Sequence, residues 1–232
     1  MPTLCFPMAR GRVMRLTRLD ECGAPVEGVC STVVTDGFAS VTDTANYQDT
    51  EEISVPNANG ALCIDDQASP ALRWLDLAVQ MCVTDPDAVN IMTGDPLVLD
   101  DAVAPNTVGY RIDQSLTGSA DFALELWSGI PNQTCPASGF PYYGYWLFPW
   151  IKDVRWGEST VANAGDLLHF TARTQVGGAW GVGPYNNRRD AVTPATLEPL
   201  LTAIGADQPK HFQFTTLAPP TPTCGCTELV IP

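Results

Sequence analysis

The clearest pattern along this chain has a period of two. Leu75, Leu77, Val79, Met81 and Val83 fall on one face of an extended segment, with Asp76 and Gln80 on the other beside Trp74, Ala78 and Cys82. Successive strand side chains point to opposite faces, so this alternation predicts a half-buried strand. Phe122, Leu124 and Leu126 repeat it, as do Leu168, Phe170, Ala172, Thr174 and Val176. Residues 12–19 alternate in large side chains and read as a strand or extended arm. Residues 31–35 and 38–42 are β-prone runs joined by Asp36-Gly37, a two-residue hairpin signal. Cys22 and Cys30 bracket one turn, and Asn59-Gly60 marks another. Residues 142–151 (YYGYWLFPWI) are dense in aromatics, and Pro149 makes them an edge strand or a bulged one.

Helical signals are few. Asp85 can cap a short helix that has Pro86 at its first position and stops near Gly94. Residues 193–204 offer a second helix, with Pro199 inside the pattern. Residues 218–226 (APPTPTCGC) read as an extended, proline-rich tail. With no internal repeat and no linker, the 232 residues predict one domain. Residues 1–18 form a basic N-terminal arm, 19–215 a β-rich body and 216–232 the C-terminal tail. The expected class is mainly β, a sandwich or barrel with one or two short helices and extended terminal arms.

Composition sharpens this picture. Hydrophobic residues make up 45% and charged residues only 16%, less charge than a free monomer's surface usually carries. Much of the surface is therefore expected to be covered by other subunits. The 20 prolines and 19 glycines favour short strands and loops over long helices. Net charge is −14, which excludes nucleic-acid binding by a basic surface but is compatible with DNA passing without sticking.

The charge is unevenly placed. Arg10, Arg12, Arg15 and Arg18 face one acid, Asp20, in the first 20 residues, whereas residues 36–101 hold thirteen acids and one base, Arg73. Ten of the twelve bases are Arg, the side chain better suited to interface ion pairs. A basic arm and an acidic body are complementary between copies, so these four arginines are expected to dock on a neighbouring subunit. The plain alternative for the acids is a solvated face.

MPTLCFPMARGR is not patterned as a signal peptide, since Pro2 and Pro7 break it and its arginines follow the apolar residues. No run approaches the roughly 18 apolar residues of a membrane span. Cysteines 5, 22, 30, 63, 82, 135, 224 and 226 are accordingly expected to be reduced.

Candidate chemistry is sparse. Cys224-Gly225-Cys226 is a CxC pair, but no CxxC accompanies it, and the histidines are His169 and His211 alone. Structural zinc usually takes two closely spaced ligand pairs, so a disulfide formed after release into an oxidising medium is favoured over a metal. No nucleophile elbow is present. Glu51-Glu52, Asp65-Asp66 and Asp100-Asp101 are adjacent acids, which point to opposite strand faces. The glycines of residues 177–183 precede no helix and read as a turn. Asn132-Gln133-Thr134 matches a glycosylation sequon by coincidence. Trp146 and Trp150 could stack on sugars, although such runs more often pack in a core or interface. No catalytic residue, cofactor or metal is expected.

Several segments in order resemble the major tail protein of long, non-contractile-tailed bacteriophages of actinobacteria. They are GRVMRLTRLDECGAP, the TDGF turn, the acidic stretch ending in EEI, the NANG turn, the strand followed by DP…MTG, and the later GYRI and FALELW. The resemblance covers roughly residues 10–176. It implies a tail-tube subunit with a β-sandwich-like domain and a flanking helix. Hexameric rings would stack into the conduit for viral DNA ejection into the host. Implied partners are other copies of the chain, tail-tip, tape-measure and tail-terminator proteins, and DNA passing through the lumen without specific binding. No membrane is implied. The site would be the virion tail, assembled in the host bacterial cytoplasm. Asp43, Asp49, Glu51 and Glu52 are the expected lumen-facing acids. The competing reading is a β-rich carbohydrate- or host-surface-binding module, and a third is a hydrolase using scattered carboxylates.

Overall fold

Among the described residues, one long antiparallel sheet bends round a single short helix. The computed structural model describes residues 5–103, 105–114, 120–131, 139–159 and 167–231; the sequon and Cys135 lie outside them. In chain order the strands before the helix are β1 (Ala9–Arg18), β2 (Gly28–Thr35), β3 (Phe38–Tyr47), β4 (Glu52–Pro56), β5 (Leu62–Gln67) and β6 (Leu72–Met81). Helix α1 (Pro86–Thr93) follows, then β7 (Leu97–Leu99), β8 (Thr107–Tyr110), β9 (Phe122–Gly129), β10 (Tyr143–Trp156) and β11 (Leu168–Thr174). The chain ends with β12 (Arg188–Arg189), β13 (Leu197–Glu198), β14 (His211–Thr215) and β15 (Cys226–Leu229). Nine strands make the main sheet in the order β15-β2-β1-β9-β10-β11-β6-β3, with β14 also paired to β10. Pairs β4–β5, β7–β8 and β12–β13 are separate small sheets.

The expected hairpin at Asp36-Gly37 does not form. β2 pairs with β1 and β15, whereas β3 pairs with β6 at the far end of the sheet. Only two residues join them, so the two ends cannot be more than about 11 Å apart. The sheet must therefore curl on itself. A Cβ at Gly11 of β1 would sit 2.8 Å from the Phe38 ring, which is where the β1–β2 register would put Phe38 if the strand ran straight on. β2 and β3 are thus one bent strand that changes partner, and among the described residues no ladder closes the sheet into a barrel. Gly37 makes the bend possible. Its carbonyl accepts from the amides of Cys82 and Val83, and a Cβ there would lie 2.5 Å from Val83 Cβ.

The inner face of the curl holds the main core. Met14 and Leu16 of β1, Val33 of β2, the β6 set Leu75, Leu77, Val79 and Met81, and Leu168 and Phe170 of β11 all meet Val89, Ile91 and Met92 of α1. The period-two expectation for β6 and β11 therefore holds inside the strands, while Val83 and Val176 fall beyond them and are exposed. α1 forms as its sequence predicts. The Asp85 carboxylate accepts from the amides of Asp87 and Ala88, Pro86 opens the first turn, and Gly94 ends it at φ 79°.

The outer face of β1, β9 and β10 is buried too. Val13, Trp127, Tyr145, Leu147 and Trp150 pack there against Trp180 and Leu200 from residues 177–204. The helix expected over 193–204 is absent. Asp190 Oδ1 turns the chain by accepting from the amides of Val192 and Thr193, and β12 pairs with β13 instead. Pro199 explains this, since a proline inside a helix lacks its amide and clashes with the preceding turn. β10 is not an edge strand. It pairs with β9 on one side and with β14 and β11 on the other, and its ladder to β9 shifts between Phe148 and Ile151, around Pro149.

Both terminal segments differ from free arms. Residues 9–18 are a central strand, between β2 and β9. The C-terminal segment returns as β15 on β2 and is fixed by a Cys30–Cys226 disulfide, a correction to the all-reduced expectation.

Candidate functional site

A ribbon between residues 42 and 74 lies outside both cores of the described residues. The second half of β3 and first half of β6 pair as Asp43↔Leu77, Ala45↔Leu75 and Tyr47↔Leu72. Beyond them β4 and β5 pair only with each other, turning at 57–60, where Gly60 adopts φ 82°. This is the Asn59-Gly60 turn the sequence predicts. The register sets Val55 opposite Ile64 and Ile53 opposite Asp66. Strand alternation then puts Ile53, Val55 and Ile64 on one face together with Asp66, while Leu62 lies past a register shift, opposite Pro56. Ile53, Val55, Leu62 and Ile64 are all exposed, Ile53 by 48% and Leu62 by 56%, and no residue from 42 to 74 belongs to either core. Tyr47 and Leu72 extend the exposed apolar surface. Between 43 and 77 the chain carries seven acids and one base, Arg73. Monomeric proteins rarely leave a contiguous apolar patch of this kind uncovered.

The expected acids divide within this ribbon. Asp49 and Glu51 are exposed in the connection from β3 to β4. Glu52 is the first residue of β4, and its side chain lies outside the described part. Asp43 is different, because Lys210 Nζ donates to both its oxygens at 2.8 and 2.7 Å. Its charge is matched within its own chain.

The expected basic arm divides as well. Arg10 and Arg12 are exposed, with the Arg12 guanidinium 5.8 Å from the Tyr143 ring centre. Arg15 is not available to a neighbour. It points to the outer face of β1, where Nε donates to Glu125 Oε2 at 2.5 Å and Nη2 to Oε1 at 2.6 Å. Tyr145 Oη donates to the same carboxylate at 2.6 Å, and the guanidinium stacks 3.3 Å over the Tyr185 ring. Burial alone would lower the Arg15 pKa, but the Glu125 charge and hydrogen bond outweigh it and leave it raised. Burial, then the Glu125 charge, holds the Tyr145 hydroxyl well above its ordinary value. Arg18 Nη2 donates to Asn90 Oδ1 of α1 at 2.7 Å, and burial lowers its pKa. Sequence placed all four arginines together because it could not show that Arg15 and Arg18 face partners in their own fold.

One cluster was invisible in the sequence. Cys30, Asp87 and Cys226 bring their sulfur and carboxylate atoms within 4.8 Å of one another. Asp85 and Asp87 at the start of α1 accept from the amides of Gly225 and Cys226, each at 3.0 Å. Gly225 permits the approach, with φ 79° and its Cβ position 3.1 Å from Asp87 Oδ2.

Trp150, a sugar-stacking candidate, is buried in the outer core. Trp146 packs against Phe212 with ring centres 5.1 Å apart and lines a cleft of about 490 Å³ with Arg10, Phe38, Val41, Leu126 and Phe148. No helix among the described residues is long and apolar enough to cross a membrane. No protein-family model and no curated protein matches the chain.

Proposed function

We propose that this chain is a self-assembling structural subunit, the tail-tube protein of a long-tailed bacteriophage. The carrying observation is the β4–β5 ribbon, an acidic projection whose exposed aliphatic side chains are covered by nothing among the described residues. Four half-exposed aliphatic side chains would each contribute about 1 kcal/mol on burial, enough when repeated around a ring to favour assembly. Exposed Arg10 and Arg12 complement the acids of the same ribbon in another copy, and the resemblance in the N-terminal two-thirds supplies the identity of the assembly. In this reading hexameric rings stack into a hollow tube, with tail-tip, tape-measure and terminator proteins as further partners. The subunit does no chemistry, and DNA passes through without specific binding.

Electron microscopy of the purified protein across a concentration series, alone and with tail-tip components, tests the reading. Rings and hollow tubes are expected. Monomers alone under every condition overturn it. The aromatic cleft beside Trp146 is the observation favouring a glycan-binding module, and micromolar binding on a glycan array by a persistent monomer would replace the tube reading with that one.

A further inference from the structure

We infer that the reduced form of this protein binds one thiophilic divalent cation, zinc in class, between Cys30, Cys226 and Asp87. The three residues come from β2, β15 and the first turn of α1, and their ligand atoms lie within 4.8 Å of one another. Two thiolates and a carboxylate are ordinary zinc ligands, and a four-coordinate ion keeps its last position for water. A second observation points the same way. Asp87 is only 7% exposed, and although its Oδ2 accepts from the Cys226 amide, its Oδ1 has no hydrogen-bond partner among the described residues. Buried carboxylate oxygens are costly to leave without a donor or a cation. An ion beside the two sulfurs satisfies this one.

The 196 residues between the cysteines hide the cluster from any reading of short spacings. In the oxidised protein the sulfurs are bonded to each other and hold no metal. Reduction by a dithiol transfers two electrons and two protons to the disulfide, giving two thiols and one cyclic or protein disulfide in the reductant. Metal binding then releases both thiol protons as the ion takes up the thiolates. The ion would hold β15 against β2 and α1 in a reducing compartment, and the disulfide would do so after oxidation. This inference does not depend on the tube reading, since its test is made on the soluble chain.

The full-length protein is reduced with dithiothreitol, desalted without oxygen and titrated with zinc and, separately, cobalt(II). One tight zinc per chain is expected by elemental analysis, with a thiolate-to-cobalt charge-transfer band, and neither in the oxidised protein. Cys30→Ser should lose the tight equivalent, Asp87→Asn should weaken it at least about tenfold, and Cys224→Ser should retain it. If Cys30→Ser misfolds, the wild-type comparison is read together with Cys224→Ser, which leaves the disulfide pair intact. Equal zinc in oxidised and reduced protein, or none in either, overturns the inference. So does loss in Cys224→Ser but not in Cys30→Ser, which would assign the metal to exposed thiols.

Discussion

At the scale of single residues, Arg15 and Glu125 form an ion pair buried inside the body. Glu125 is fully buried, and its two oxygens take three donors from Arg15 and Tyr145. Removing one charge from a buried pair leaves the other uncompensated, at a cost of about 3–5 kcal/mol. Glu125→Gln is therefore expected to lower the urea midpoint strongly, whereas the double change Arg15→Met with Glu125→Leu should recover most of the loss. The same pocket sets an alkaline limit. Burial and then the Glu125 charge raise the Tyr145 pKa, and burial also raises that of Tyr185. The unfolded chain ionises its tyrosines first, so it holds fewer protons than the folded chain. Stability is then fully present below about pH 10, the ordinary tyrosine value, and is lost as pH rises beyond it. Urea titrations from pH 8 to 11 should show this fall, and Tyr145→Phe should flatten it.

At the scale of elements, the bend between β2 and β3 and the β4–β5 ribbon make opposite demands. The bend needs space. Gly37→Ala places a methyl 2.5 Å from Val83 Cβ and is expected to cost about 1–3 kcal/mol through overpacking, read as a lower melting temperature. In the proposed assembly the ribbon is the part that meets a partner. Val55→Asn with Ile64→Asn removes facing apolar side chains that touch neither core. The variant should keep the wild-type circular dichroism and melting temperature within the usual 0.5 kcal/mol of a surface change and fail to form tubes. Normal tubes from it would move the contact elsewhere. The two experiments separate folding from assembly, because the bend belongs to the curled sheet and the ribbon projects beyond it.

At the scale of the whole molecule, the curl determines which charges remain exposed. Arg15 and Arg18 are taken up inside, and Asp43 is matched by Lys210. Asp49 and Glu51 remain exposed on the projecting side. If they line the conduit, they keep DNA phosphates off the wall within a Debye length of about 8 Å at physiological salt. Asp49→Lys with Glu51→Lys should leave tubes assembled but slow or stall genome ejection, because lumen cations bind phosphates and release counterions. Unchanged ejection kinetics from such tubes would place these acids outside the channel.

Local sequence determined the elements whose cause is local. The alternation in 75–81 and 168–174 became half-buried strands because one face of each meets the core. Asp85, Pro86 and Gly94 bounded α1 because caps act over a single turn. Asn59-Gly60 turned the ribbon because positive φ at that point requires nothing distant. The tertiary structure decided everything that depends on residues far apart. A two-residue glycine turn that signals a hairpin became a bend, because β1 and β6 offered the two halves of the strand separate partners. Residues 193–204 became turns and the short strand β13 over the outer face, where Leu200 joins the outer core. The basic arm became a central strand because Glu125, a hundred and ten residues away, stood opposite Arg15. Cys30, Asp87 and Cys226 met because the last strand returned to the second. Pairings over such separations are fixed by packing and register across the sheet, which no short window of sequence contains.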